Sequence, residues 1–328
     1  MDLHSVIAVG AAILVATWAG AHAYSAAWRA WAGRAGTPTG FGCLMPLAVG
    51  GGLWSTGHAV GMGAALAVII LATGLYWLDD IFGLSAKTRL GLASIAGVAL
   101  GLLGVTEGSL QYWHLLALGL SSGALCVVSA NVINFYDGAD LNLALLFASC
   151  GVLLSVFSPA WDGPVPVIGA ALIAFAVGFG MVNRRPQSLY LGDAGSFALA
   201  AVVTWLFTLF VAGREVPIEV VAAMALPAFD VFYVLLIRLR FKHDLLSRNY
   251  LHLYQRLQIV RGGRRYLYPQ VANIALVLGC AQLIGSTAGM SRVVAVLLAS
   301  AIVTPVLYLV VRRAEVEPEF FFGDGTTR

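Results

Sequence analysis

The chain has 328 residues, of which 60% are hydrophobic and only 11% charged, with a formal net charge of +3 and a mean hydropathy of +0.87. So little charge cannot solvate the surface of a water-soluble chain this long, and most of it must have lipid as its solvent. The small net charge argues against a nucleic-acid partner. Cys43, Cys126, Cys150 and Cys280, scattered through apolar stretches without paired spacing, read as packing residues and not as disulfides or metal ligands.

The first apolar run begins directly after Met1-Asp2-Leu3-His4, without the basic segment of a cleaved signal peptide, and predicts a retained first helix. Further runs follow near 41–55, 58–78, 90–106, 113–131, 141–158, 165–183, 194–213, 217–237, 270–288 and 292–311. They are unbroken, not alternating, so they predict helices and not barrel strands. The expected fold is an all-α, polytopic integral membrane protein with ten or eleven transmembrane helices, forming a single domain over 1–328. The second run is short and Gly-rich, and is the one that can fail to cross.

Orientation follows from charge. With eleven crossings and the N-terminus outside, 17 of the 19 basic residues fall on one side, leaving Arg214 and Arg292 on the other. The positive-inside rule makes the basic side cytoplasmic. Asp79, Asp80, Asn131, Asn134, Asp137, Asp140, Asp193 and His252 sort to that same side, whereas the opposite side has only scattered polar residues such as Glu107, Asp162 and Glu215. The active-site loops are therefore expected on the cytoplasmic face. The longest non-apolar stretch, 238–268, is basic with interleaved Tyr and Leu, and 314–328 reads as a mobile tail.

Four constellations stand out. Asp79-Asp80 closes an otherwise apolar helix. The pair reads either as a solvated terminus matched by Lys87 or Arg89, or as carboxylates that bind Mg²⁺ or accept a proton. In Asn131-Val-Ile-Asn134-Phe-Tyr-Asp137-Gly138-Ala-Asp140 the two amides lie one helical turn apart, and Gly138 permits a tight turn. Turn-capping explains Asp137-Gly138 but not the Asn pair. Gly192-Asp193-Ala-Gly195-Ser196 opens a span, where Asp193 serves as an N-cap or, among small residues, meets a phosphate. His252 and Arg256, one turn apart in the 238–268 loop, have the chemistry to grip a diphosphate, though most basic residues of that loop set topology. Collected on one face, these groups point to metal-assisted chemistry on a phosphate at the membrane surface.

Taken in order, the motifs resemble the polyprenyl-phosphate N-acetylhexosamine-1-phosphate transferases. The resemblance rests on Asp79-Asp80 with Arg89, on the Asn131–Asp140 motif, on Gly192-Asp193-Ala-Gly195-Ser196 and on Thr37-Pro38-Thr39-Gly40, and runs from about residue 34 to 257. It implies transfer of a sugar 1-phosphate from a UDP-N-acetylhexosamine to a polyprenyl phosphate such as undecaprenyl phosphate, releasing UMP, in a bacterial inner membrane. By the family pattern Asn134 and Asp193 would hold Mg²⁺, for which Mn²⁺ can substitute, and Asp79 and Asp80 would place or deprotonate the lipid phosphate. Arg89 would neutralise phosphate charge, Asp137 and Asp140 would line the nucleotide or metal pocket, and Asn131, Asn134, Gly192, His252 and Arg256 would contact substrate. The family also allows a homodimer.

The sequence departs from that pattern in having Arg89 where Lys is commoner and one histidine, His252, preceded by Asn249-Tyr250. The segment His252-Leu-Tyr-Gln-Arg-Leu257 is more similar to the branch that handles deoxy-N-acetylhexosamines for O-antigen initiation. Two rival readings are a Mg²⁺-dependent intramembrane prenyltransferase and a secondary transporter. The first needs two clusters with Asp at helical spacing, and the second needs acids near the bilayer midplane.

Overall fold

The computed structural model describes residues 3–31, 37–104, 112–159, 161–185, 188–243 and 250–315. Arg34, Glu107, Arg248, Asn249 and nearly all of the expected C-terminal tail lie outside them. The chain is an all-α polytopic membrane protein, and no strand occurs among the described residues. Nine of the described helices are long and apolar enough to cross a bilayer. The runs expected at 41–55 and 141–158 are helical but shorter. At 1.5 Å per residue, fifteen residues reach about 22 Å, less than the roughly 30 Å hydrocarbon core.

The chain divides into two compact units, Met1–Pro217 and Ile218–Arg328. The first holds α1 (Leu3–Trp31), a 3-10 turn at Phe41–Leu44, α2 (Met45–Ser55), α3 (Gly63–Phe82), α4 (Ala86–Leu103), α5 (Tyr112–Tyr136), α6 (Asn142–Val156), α7 (Pro164–Asn183) and α8 (Gly192–Val211). Helix α8 is its centre: 78% of its most apolar window is buried, against 17% for α1. It packs against α3, α4 and α5, while α7 packs against α1, α2 and α6. Lipid tails are as apolar as leucine, so these pairs are held by close approach of small residues. A Cβ on Gly101 of α4 would stand 2.9 Å from the Cα of Gly119 on α5.

Two boundaries differ from the hydropathy reading, and both concern the site. Helix α4 starts at Ala86, capped by Ser85 Oγ accepting from Thr88 N at 3.2 Å, so Arg89 lies on its first turn. Helix α5 continues to Tyr136, past the apolar run's end near 131. Asn131 Nδ2 donates to Val127 O at 2.8 Å and Asn134 finds a partner on α8, so both amides are tolerated on a helix whose hydropathy has already fallen.

The second unit holds α9 (Val220–Arg240), α10 (Leu253–Arg261), a 3-10 turn at Arg265–Leu267, α11 (Tyr268–Ala288) and α12 (Arg292–Glu315). Its three long helices meet over Ala222, Val277, Ala281, Ala295, Val296 and Ala299. The basic loop is not all loop, because α10 folds within it with His252 as N-cap and Gln255 Oε1 accepting from His252 N at 3.3 Å.

Candidate active site

Four helix ends and the adjoining loops of the first unit bring the acids, an amide and an arginine together. Asp79 and Asp80 end α3, Arg89 begins α4, Asn134 is in the last turn of α5 and Asp193 is in the first turn of α8. Asp193 is the hub. Its Oδ2 accepts from Arg89 Nη1 at 2.6 Å, and its Oδ1 accepts from Asn134 Nδ2. Asp79 is buried, its Oδ1 accepts from Leu84 N, and its Oδ2 has no hydrogen bond and stands 3.5 Å from Arg89 Nε. Arg89 thus lies between Asp79 and Asp193, and Tyr76 OH donates to its carbonyl at 2.6 Å.

Asp80 points elsewhere. Its two oxygens accept from the backbone N–H groups of Asp193 at 2.9 Å and Ala194 at 3.0 Å, which are donors left over at the start of α8. Gly192 makes this possible: it has φ +73°, and a Cβ there would strike the Asp80 carboxylate. The Thr37–Gly40 segment is drawn to the same corner. Tyr190 N donates to Pro38 O at 2.8 Å, Gly42 N to Leu191 O at 3.0 Å, and Tyr24 OH to Thr39 O at 2.5 Å.

Asp137 and Asp140 occupy the turn after α5, both half-buried. Burial, then the like charges of Asp193 and Asp80, push the Asp137 carboxyl up to about 8. The Tyr190 phenol is raised by burial and by the charges of Asp140 and Asp137, so the 188–191 segment faces this turn. Asn183, at the end of α7, ties the two loops: its Oδ1 accepts from Leu141 N at 2.6 Å and its Nδ2 donates to Leu189 O at 2.7 Å. Leu141 has φ +66°, a strained value for leucine that this bond helps hold. The sequence reading passed over Asn183. An amide closing an apolar span beside Arg184-Arg185 is the signal that could have marked it.

Of the other expected site residues, Asn131 has its amide nitrogen engaged on its own helix. His252 and Arg256 belong to the second unit, 4% and 2% exposed. There Asp230 accepts from His252 Nδ1 at 2.9 Å, Leu253 N at 2.9 Å and Tyr308 OH at 2.7 Å, while Arg312 Nη1 donates to Leu251 O at 3.0 Å and to Tyr308 OH at 2.9 Å. Burial and the charge of Arg312 lower the Arg256 pKa. Asp230, an acid inside an apolar run, escaped the sequence reading although its cost in lipid marks it.

No group of three or more His, Cys, Asp or Glu able to hold a metal is present among the described residues. Mg²⁺ does not need one, since it usually binds one or two protein carboxylates and takes its other oxygens from phosphate and water. Asp193 and an Asn134 amide turned to present Oδ1 supply hard oxygen donors of that kind, so the residues fit the ion.

Fold and site together define a membrane protein with an acid, amide and arginine centre at one end of its central helix. The sequence profile of glycosyl transferase family 4 matches residues 61–211, a segment that contains Asp79, Asp80, Arg89, Asn134, Asp137, Asp140, Asn183 and Asp193. The resemblance read from the motifs is borne out. The chain is 33% identical over 196 residues to the phospho-N-acetylmuramoyl-pentapeptide-transferase of Acaryochloris marina, covering 52% of each. It is 30% identical over 159 residues to the same enzyme of Symbiobacterium thermophilum, covering 45% of each. It is 29% identical over 243 residues to the decaprenyl-phosphate N-acetylglucosaminephosphotransferase of Mycobacterium leprae, covering 63% of this chain and 61% of that one. The chain spans about half the length of the first two relatives and somewhat more of the third.

Proposed function

We propose that this protein transfers an N-acetylhexosamine 1-phosphate from a UDP-sugar to a polyprenyl phosphate at the cytoplasmic face of a bacterial inner membrane. One observation carries the reading: Asp193, at the start of the most buried helix, is held at once by Arg89, Asn134 and the Asp80-anchored backbone. In the reaction a lipid phosphate oxygen forms a new bond to the β-phosphorus of the UDP-sugar. The bond from that phosphorus to the oxygen bridging it to the α-phosphate breaks, and UMP leaves with the electron pair.

Phosphoryl transfer asks a protein mainly for positioning and charge. Arg89 provides a cation beside the phosphates. Asp79, with one oxygen not hydrogen-bonded, orients the lipid phosphate and takes its proton where one is present. Asp80, spent on two backbone N–H groups, keeps Asp193 in place. Asp137 and Asp140 face the nucleotide side. Asp193 and Asn134 would hold Mg²⁺, which neutralises diphosphate charge when bound. The likeness of the 252–257 segment supports a deoxy-N-acetylhexosamine donor and initiation of an O-antigen-like polysaccharide.

The test is UMP release by purified protein with undecaprenyl phosphate and Mg²⁺ across a panel of UDP-N-acetylhexosamines, with UDP-N-acetylmuramoyl-pentapeptide included. Lipid-dependent release with one preferred hexosamine is expected. Preference for the pentapeptide donor would overturn the O-antigen assignment, and no release from any donor by folded protein would overturn the reaction.

A further inference from the structure

The end of the first unit away from Asp193 forms an open cleft of about 700 Å³, within the size range of small-molecule sites, with Arg214 and Glu215 exposed at it. It is formed where α3 and α7 begin and α4 and α8 end, so it sits at the opposite pole of the helices that carry the acids. Leu103, Val165 and Trp205 give it apolar walls, and His58, Arg214 and Glu215 bring ionisable groups to the same space. Among the described residues the side chains of Arg214 and Glu215 have no ion-pair partner, although they are adjacent in sequence. His58 Nε2 is buried without a hydrogen-bond partner.

Arg214 is also out of place by charge sorting. It and Arg292 are the two basic residues assigned to the side away from the acids, and Arg292 is accounted for by its ion pair with buried Glu219. We infer that this cleft is a second, non-catalytic site for a phosphodiester headgroup that also carries an N–H donor. Arg214 and His58 take the phosphate, Glu215 takes the ammonium, and the apolar wall takes the start of an acyl chain. An arginine suits phosphate oxygens, and a carboxylate left beside it selects a zwitterion over a simple anion. Phosphatidylethanolamine has this chemistry, whereas phosphatidylcholine has the phosphate without the N–H.

The test uses the full chain in phosphatidylcholine nanodiscs with a minor share of phosphatidylethanolamine, reading the lipid retained on the protein by native mass spectrometry. Wild type should retain phosphatidylethanolamine over phosphatidylcholine. Arg214→Ala should weaken retention about tenfold, the scale of one lost charged hydrogen bond. Glu215→Gln should erase the preference between the two lipids while keeping some retention. Arg313→Ala, at the other end of the charge sorting, should bind as wild type does. A parallel titration with inorganic phosphate separates the sources: displacement of the lipid by phosphate assigns the site to phosphate chemistry from any donor, and no displacement assigns it to the headgroup. Equal retention by wild type and Arg214→Ala, both folded by thermal melt, would overturn the inference. So would retention that ignores the amine in wild type.

Discussion

Asp80 accepts the backbone N–H of Asp193 at 2.9 Å, so the second acid of the Asp79-Asp80 pair is fastened to the helix that presents the hub carboxylate. Adjacent residues on a helix point about 100° apart. Asp79 therefore faces Arg89 while Asp80 faces α8, and one dipeptide serves two tasks.

Disturbing this contact from either side should have the same result. Asp80→Asn leaves one good acceptor and turns an NH₂ toward an N–H, and Gly192→Ala puts a methyl group into the carboxylate at a φ that L-residues avoid. Each change should cost about 1–3 kcal/mol of local alignment, seen as a roughly ten- to hundredfold fall in kcat for UMP release. The double variant should be little worse than the worse single one, because both remove one interaction. Simple multiplication of the two losses would show that Asp80 acts on substrate by itself.

Asp193→Asn tests the centre directly. The amide keeps the shape but loses the charge that Arg89 Nη1 meets at 2.6 Å. Turnover should vanish while the protein inserts and melts as wild type does, and wild-type turnover should stop in excess EDTA and return with Mg²⁺. Activity undiminished by EDTA would count against a metal-assisted reaction.

Asn183→Ala removes both bonds that join the Asp137–Leu141 turn to the 188–191 segment. The buried Leu189 carbonyl loses its partner at about 1–3 kcal/mol, and the half-buried Leu141 N–H loses its partner at less. We expect a lowered melting temperature and a raised KM for the UDP-sugar. An unchanged KM would make Asn183 a fold residue only.

These residues show what the sequence could and could not reveal. Hydropathy located every long helix because lipid enforces it, and charge sorting put Asp79, Asn134 and Asp193 at one end before any contact was known. The motif spacing could not divide Asp79 from Asp80, since their roles depend on where α8 begins in space. Nor could it separate Asn131 from Asn134: the turn that aligns them on α5 does not decide which amide reaches Asp193 and which bonds back to Val127. Asn183 and Asp230 carried a readable signal, a polar group in apolar surroundings, but their most distant partners, Leu141 and Tyr308, lie 42 and 78 residues away along the chain.

Asp137 should make stability depend on pH. Its carboxyl is raised from 3.8 to about 8, so the folded chain keeps a proton that the unfolded chain releases above about pH 4. Between those values the folded state binds more protons than the unfolded one, and stability falls as pH rises. The side chain is partly exposed, which moderates the effect. In metal-free buffer the wild-type melting temperature should drop between about pH 6 and pH 8, and Asp137→Asn should flatten that slope. Parallel curves for the two proteins would show that Asp137 does not carry the excess proton.

Asp230 gives the sharpest test in the second unit. It is 1% exposed, inside an apolar helix, and it holds His252, the start of α10 and Tyr308 together. Removing one partner of a buried polar network costs more than the network contributes, because the remaining groups stay buried without their acceptor. Asp230→Ala should therefore destabilise by about 3–5 kcal/mol and free α10, read as faster amide exchange across Leu253–Arg261. Tyr308→Phe removes one donor to Asp230 and one acceptor for Arg312 but leaves the acid in place, and should cost less, about 1–3 kcal/mol. The comparison separates two roles for His252. If α10 exchanges faster in Asp230→Ala and KM for the UDP-sugar also rises, the clamp positions substrate-contacting residues of the loop. If exchange rises and KM does not, the His252–Asp230 pair serves the fold, and donor contacts must come from the first unit.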